Sequence, residues 1–251
     1  METTKELKLA VLIDADNIPY SNVKGMLEEI AKYGTPTFKR IYGDWTKPTL
    51  SGWKTVLLEN AITPIQQYSY TKGKNSSDSA LIIDAMDILY TGAVDGFCII
   101  SSDSDFTRLA TRLREAGKQV FGMGERKTPT PFIASCNKFI YIEILQKEIK
   151  EPLMVSKAKK AEPVRKPAAV ASVNGELIKL ISDSINDIAE EDGWVFLGVL
   201  GNLILKKQPD FDPRNFGYKK LVDLIKSIEG IEIDERPTGK KNVSHFFVRT
   251  R

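Results

Sequence analysis

The sequence predicts an α/β fold, in which a mostly parallel sheet flanked by helices is followed by a small winged-helix-like α+β domain. Short apolar runs alternate with helical patterns over residues 1–149, which is typical of parallel strands joined by helices. Residues 150–171 change to a basic, proline-containing stretch without periodicity, which we interpret as a flexible linker. Helical and strand-like patterns resume over residues 172–251, so we expect a second domain there.

The first domain is predicted to alternate between strands and helices in chain order. Apolar runs rich in β-branched residues predict strands at residues 8–13, 37–42, 62–68, 96–100, 118–123 and 139–144. Helical spacing of apolar residues predicts helices at residues 23–31, 50–61, 78–90 and 106–113. Because parallel strands need crossover connections, this order favours one sheet with helices on both of its faces.

The second domain is predicted to hold three helices and a β-hairpin. Helical patterns cover residues 177–188 and 194–205, and a third follows Gly217. The two strand-like runs lie at residues 231–235 and 243–249, on either side of a polar loop. This combination is typical of a small winged helix.

The composition excludes several classes of function. The chain has 251 residues and a net charge of only +3, so no global basic field indicates a nucleic-acid partner. The one histidine, His245, lies near the C-terminus, which argues against a His-based metal site or Ser-His catalysis in the first domain. Cys98 and Cys136 lie in apolar settings and are interpreted as small buried core residues, which suits a reducing cytosol. With no signal-like start and no apolar run of membrane-spanning length, we expect a cytoplasmic protein without a membrane partner.

Carboxylates follow the predicted strands at the sheet edge where open α/β folds bind ligands. Asp14 follows the first strand, Asp103 and Asp105 follow the fourth, and Asp78 opens the helix before that fourth strand. One such residue alone is explained as a cap, and Ser104 or Asp105 is expected to cap the next helix. Three segments that bring carboxylates to one edge need a cation, because like charges repel one another. These oxygen ligands suit Mg²⁺ or Mn²⁺, which can activate water for displacement at phosphorus.

Two polar side chains complete the candidate site. Asn17 can orient a ligand or a metal-bound water, and Ser101 can donate a hydrogen bond to a carboxylate or to phosphate. Two other aspartates, Asp16 and Asp84, are interpreted as structural. Asp84 lies six residues after Asp78 and therefore points away from it on a helix with 3.6 residues per turn.

These residues resemble the NYN domain, a PIN-like nuclease family. The resemblance lies in Ile13-Asp14-Ala15-Asp16-Asn17-Ile18, Asp78-Ser79-Ala80-Leu81, Ser101-Ser102-Asp103-Ser104-Asp105-Phe106, Gly117-Lys118-Gln119-Val120 and Phe139-Ile140-Tyr141-Ile142. It covers residues 7–146 and implies a Rossmann-like (PIN-like) sheet with metal-dependent ribonuclease chemistry. The residues that it places in or beside the metal-binding positions are Asp14, Asp78, Asp103, Asp105 and Asn17; together with Ser101 they form the candidate catalytic set.

The resemblance also draws attention to four further positions in the first domain. Lys72 and Lys74 lie in the loop that leads to the second aspartate of the set, and they are candidates for RNA contact. Ser102 departs from a glycine that is common in the family, and Asn137 departs from a frequent acidic residue. Neither departure removes an expected metal ligand.

The C-terminal segment resembles the LOTUS (OST-HTH) domain, a winged-helix-like module associated with RNA. The matching residues are Trp194-Val195-Phe196-Leu197-Gly198, Pro209-Asp210-Phe211-Asp212-Pro213-Arg214 and the run from Phe216 to Leu224. Packing explains the apolar members of these motifs. The basic residues that remain as candidates for phosphate contact are Arg214, Lys219, Lys220, Lys240 and Lys241, and for each of them a solvated surface charge is the alternative.

The function predicted from these features is metal-dependent endoribonuclease activity, with Mg²⁺ or Mn²⁺ as cofactor. The C-terminal domain is expected to recruit single-stranded or structured RNA, and docking of a protein partner on that domain is the alternative. A second alternative for the whole chain is a non-catalytic RNA-binding adaptor that retains the acidic pocket. A third is a haloacid-dehalogenase-like phosphatase, because Asp14-Ala15-Asp16 imitates the nucleophile and acid of that family.

Overall fold

The structure, a computed structural model, describes residues 6–68, 76–145, 171–189, 191–238 and 244–251. The chain divides into two compact units, Met1–Ala158 and Lys159–Arg251. The predicted linker, residues 150–171, lies outside the described residues except for Ala171. In the described ranges no helix is long and apolar enough to cross a bilayer.

The first unit is built on a six-stranded parallel sheet. Its strands are β1 (Lys8–Asp14), β2 (Thr35–Gly43), β3 (Thr63–Gln66), β4 (Gly96–Ile100), β5 (Gln119–Gly124) and β6 (Lys138–Tyr141). They lie in the order β3-β2-β1-β4-β5-β6, and every neighbouring pair is parallel. The strand order reverses between β1 and β4, which is the point where such sheets bind ligands. All six predicted strands are confirmed, although β6 is shorter than expected because the chain turns helical at Ile142.

Helices cover both faces of this sheet, as predicted. They are α1 (Val23–Ile30), α2 (Trp53–Asn60), α3 (Ser76–Thr91), α4 (Thr107–Glu115), α5 (Thr130–Ser135) and α6 (Ile142–Leu145). Apolar residues of α1, α2 and α6 pack with Val11 and Ile13 on one face, and those of α3, α4 and α5 pack with Leu12 and Ile99 on the other. This alternation along fully buried strands explains their continuous apolar sequence.

The second unit is an α+β domain with a three-stranded antiparallel sheet. Its strands are β7 (Val195–Phe196), β8 (Ile231–Pro237) and β9 (Ser244–Thr250), in the order β7-β9-β8. The helices α7 (Gly175–Ile188), α8 (Leu197–Lys207) and α9 (Leu221–Lys226) pack on one face, around a core that includes Ile181, Leu200, Leu224 and Val248. The three helices and the hairpin strands agree with the prediction. The two-residue strand β7 was not predicted, since it is too short to give a pattern.

Candidate functional site

The two strands at the reversal point of the sheet end side by side. Ile13, the next-to-last residue of β1, pairs with Ile100, the last residue of β4. Asp14 and Ser101 therefore follow in adjacent positions at the carboxyl edge. Asp78 lies in the first turn of α3, where a carboxylate is favoured by the helix dipole. The sheet thus brings together the three chain segments that the sequence analysis selected.

Ser101 joins the ends of β1 and β4 through hydrogen bonds. Its hydroxyl donates to Asp14 Oδ2 at 2.8 Å and accepts the backbone N–H of Asp103 at 3.1 Å. The side chain is fully buried. Loss of this hydroxyl would remove a hydrogen-bond donor from Asp14 and the side-chain acceptor of the Asp103 N–H, so Ser101 fixes the loop that carries the later carboxylates.

Asp14 is buried, and its carboxylate is held from several sides. Only 1% of the residue is exposed. Asn17 Nδ2 donates to Oδ2 at 2.6 Å, and the backbone N–H of Asp16 donates to Oδ1 at 3.2 Å. Burial raises the pKa of Asp14 above its ordinary value, and the hydrogen bonds from Asn17 and Ser101 partly offset this rise. Asp14 therefore holds the loop after β1 in place through these hydrogen bonds.

Three of the four predicted carboxylates form a compact cluster. One carboxylate oxygen from each of Asp78, Asp103 and Asp105 lies within 4.8 Å of the others. We call these three residues the acidic cluster. Asp78 is buried, whereas Asp105 is exposed, so the cluster opens from the protein to solvent. Asp14 is not within this distance of all three, and Ser101 connects it to the cluster instead.

The acidic cluster is electrostatically unfavourable without a counter-charge. Burial, and then the charges of Asp14, Asp103, Asp105 and Asp16, raise the pKa of Asp78 to about 7. A divalent cation would remove this repulsion, and carboxylate oxygens are the ligands that Mg²⁺ and Mn²⁺ prefer. The donor set therefore fits the predicted metal.

The loop after β4 obtains its shape from a cap on the next helical turn. The carboxylate of Asp103 accepts the backbone N–H of Asp105 at 2.9 Å, which caps a short 3₁₀ turn over Ser104–Phe106. The prediction that Ser104 or Asp105 is the cap was wrong. Asp103 has extended backbone angles, which are typical of a capping residue, whereas Ser104 and Asp105 are already inside the turn.

The two aspartates interpreted as structural lie outside the acidic cluster. The carboxylate of Asp84 accepts hydrogen bonds from Arg40 and from the hydroxyl of Tyr42, which ties α3 to β2. Asp16 forms an ion pair with Lys47 at 3.3 Å. Lys47 could not be selected from sequence, because nothing in its local pattern shows that the chain after β2 returns to the β1 loop.

The two departures from the family pattern leave the cluster intact. The hydroxyl of Ser102 accepts the backbone N–H of Glu125 at 2.8 Å, and this bond ties the end of β4 to the end of β5. Asn137 Oδ1 accepts the N–H of Val120 at 2.8 Å, near the start of β5. Asn137 therefore lies towards the opposite edge of the sheet.

The candidate RNA-binding residues have different environments. Arg214 forms a two-point ion pair with Asp212, with Nε–Oδ1 at 3.0 Å and Nη2–Oδ2 at 2.8 Å. Lys219 and Lys220 are exposed before α9. The remaining candidates lie outside the described residues; they are Lys72, Lys74, Lys240 and Lys241.

Comparison with known proteins assigns both units. Residues 170–243 match the OST-HTH/LOTUS domain, and no curated protein matches the chain significantly. A crystal structure of a protein of unknown function, VPA0982 from Vibrio parahaemolyticus, has 20% identity and a TM-score of 0.47, covering 57% of this chain and 96% of its own. A solution structure of an uncharacterized protein from gene locus NE0665 of Nitrosomonas europaea has 28% identity and a TM-score of 0.29, covering 39% of this chain and 92% of its own. Residues 8–143, more than half of the chain, match the NYN domain, so the chain belongs to the NYN domain family.

Proposed function

We propose that the protein is a metal-dependent endoribonuclease whose C-terminal domain recruits the RNA substrate. The observation that carries this proposal is the acidic cluster, in which three carboxylates from two segments lie within 4.8 Å of one another beside the reversal point of the sheet. The NYN and LOTUS matches support a nuclease and RNA-binding role in general. The acidic cluster is the feature that supports metal-dependent cleavage in particular.

In this proposal the three carboxylates of the acidic cluster bind the metal, and Asp14 supports them. Asp78, Asp103 and Asp105 would hold Mg²⁺ or Mn²⁺. A divalent ion in such a position lowers the pKa of water and neutralises charge at phosphorus. Asp14 is a positioning residue, which acts on Asp103 through the Ser101 hydroxyl. Asn17 orients Asp14 through its 2.6 Å hydrogen bond, which also opposes the rise that burial causes in the pKa of Asp14.

RNA recruitment is assigned to basic residues of the second domain. Exposed Lys219 and Lys220 provide point charges for phosphate. Arg214 already pairs with Asp212, so we expect it to contribute less to phosphate binding than the two lysines do. On sequence grounds, the proposed RNA-binding set also includes Lys240 and Lys241 of the second domain. It further includes two residues of the first domain, Lys72 and Lys74. The cytoplasmic location stays a prediction.

The structure bears on the phosphatase alternative. A phosphatase of that kind uses the first aspartate as a nucleophile that must reach phosphorus. Asp14 is 1% exposed, and its oxygens accept hydrogen bonds from Asn17, Ser101 and the N–H of Asp16. These contacts favour a positioning role over nucleophilic attack. The adaptor alternative differs from our proposal only in lacking cleavage.

The test is incubation of the full chain with labelled single-stranded and structured RNA and with matched DNA. Each substrate is treated with Mn²⁺, with Mg²⁺ and with EDTA. We expect internal cleavage of RNA in at least one metal and none in EDTA. Binding of RNA without cleavage in either metal would favour the adaptor, and a phosphoenzyme on Asp14 would favour the phosphatase.

A further inference from the structure

We infer that the outer face of the β7-β9-β8 sheet stacks the bases of single-stranded RNA, an inference that rests on the proposed recruitment of RNA by this domain. We call this surface the aromatic face. Its members are Trp194, Phe196, Arg236, His245, Phe247 and Arg249. None of them is among the basic residues assigned to phosphate contact above.

The pleat of the sheet separates the aromatic face from the core. Val195 pairs with Val248, and both are buried beneath the helices. Phe196 pairs with Phe247, one position along each strand, so these two rings lie on the opposite face. Arg236 pairs with His245, two positions from Phe247, and therefore shares that face.

The rings of the aromatic face form a continuous layer. The centroid of Phe196 lies 5.0 Å from that of His245 and 5.7 Å from that of Phe247. The guanidinium carbon of Arg236 lies 4.1 Å from the centroid of Phe247 and 5.6 Å from that of Trp194. Aromatic rings and guanidinium planes in such an arrangement are the groups on which unpaired bases stack.

Acidic residues hold the arginines in place and reduce their net charge. Arg236 Nε donates to Asp234 at 2.7 Å, and Arg249 Nε donates to Glu232 at 2.6 Å. Arg249 also lies over Trp194, with its guanidinium carbon 4.7 Å from the ring centroid. Because both guanidinium groups are already paired, they contribute flat surface more than charge. The aromatic face is therefore suited to bases, and phosphate attraction is left to the lysines.

The aromatic face is accessible to a ligand. Phe196 is 38% exposed, and the side chains of Arg236 and Arg249 are 43% and 41% exposed. His245 is exposed as well, and Trp194 and Phe247 are partly exposed. A contiguous exposed patch of this kind, unlike a single exposed apolar side chain, marks an interaction surface.

The test measures binding of the full chain to a fluorescent, unstructured RNA in EDTA, so that cleavage does not interfere. The double variant Phe196→Leu with Phe247→Leu keeps apolar bulk and removes the rings. We expect about tenfold weaker binding, because each stacked base contributes strongly, and an unchanged dependence of affinity on salt. The control Val199→Ala changes an apolar residue of α8 that is 51% exposed, and it should bind as the wild type does.

A second measurement reports stacking without relying on those variants. RNA should quench the fluorescence of Trp194, which is obtained as the difference between the wild type and Trp194→Phe. If RNA does not quench Trp194 in the wild type, the bases do not stack on this face. A loss of affinity in the double variant would then be attributed to disturbed folding, and the inference would be overturned. Wild-type affinity in the double variant would also overturn it while leaving RNA recruitment intact. No RNA binding by the wild type even at low salt would overturn recruitment itself.

Discussion

Replacement of Asp78 by asparagine should stabilise the protein in the absence of metal. The pKa of Asp78 is raised from 3.8 to about 7, chiefly by burial and by the neighbouring carboxylates. A shift of this size corresponds to about 4 kcal/mol at pH 8, which is an upper bound. Solvent relaxation reduces this value, and loss of a charge from the first turn of α3 offsets up to about 1 kcal/mol more. We therefore expect Asp78→Asn to gain about 2 kcal/mol of unfolding free energy at pH 8.

The pH dependence of this gain has a definite sign. Because the pKa of Asp78 is higher in the folded state, the folded protein binds more protons than the unfolded chain between pH 3.8 and about 7. Wild-type stability therefore falls, relative to the variant, as the pH rises through this window. The advantage of Asp78→Asn should be largest at pH 8 and should decrease by about half or more at pH 5.

The assay is urea unfolding in EDTA, followed by tryptophan fluorescence. With Trp194→Phe as the background, the remaining tryptophans, Trp45 and Trp53, both report on the first unit. Asp84→Asn is the matched control on the same helix. It should destabilise the protein by about 1–3 kcal/mol, because it breaks the contacts with Arg40 and Tyr42. A destabilised Asp78→Asn at pH 8, or a gain that does not change with pH, would refute the account of repulsion in the acidic cluster.

Three further predictions concern other parts of the site and the chain. Ser101→Ala should lower the unfolding free energy by about 1–3 kcal/mol and slow cleavage; an unchanged cleavage rate would show that Asp14 does not act through this hydroxyl. Lys219→Gln with Lys220→Gln should reduce the slope of log affinity for single-stranded RNA against log salt by about 1.4, whereas an unchanged slope would remove these lysines from the interface. Residues 1–150 alone should retain metal-dependent cleavage and lose affinity for long RNA, and full affinity in a gel-shift assay would contradict the proposed division of labour.

Much of the fold could be predicted because the strands of a doubly covered parallel sheet are apolar along their whole length. Ile99 and its neighbours in β4 are an example, since alternate residues face different cores. Helix α5 was missed because Pro129 and Pro131 give its start the composition of a loop, although proline is well tolerated in a first turn. Local composition thus predicts long elements better than short ones.

The acidic residues of the site could be selected from sequence, but their arrangement could not. The position of Asp103 and Asp105 after β4 follows from the strand pattern, and Asp78 follows from the helix pattern. The place of Asp14 behind Ser101 depends on the pairing of β1 with β4, which joins residues 87 positions apart. The partners of Asp84 are also remote in sequence, because Asp84 lies on α3 and Arg40 lies on β2, 44 positions earlier. Such contacts depend on topology, which residue spacing does not encode.

The most direct test of the central claim is a comparison of RNA cleavage by wild-type protein, Asp103→Asn and Asp16→Asn in Mn²⁺. Both variants remove one negative charge near the site, but only Asp103 belongs to the acidic cluster, whereas Asp16 pairs with Lys47. The account predicts that Asp103→Asn abolishes cleavage and that Asp16→Asn retains most of it. Cleavage by Asp103→Asn at the wild-type rate would contradict the assignment of the metal site.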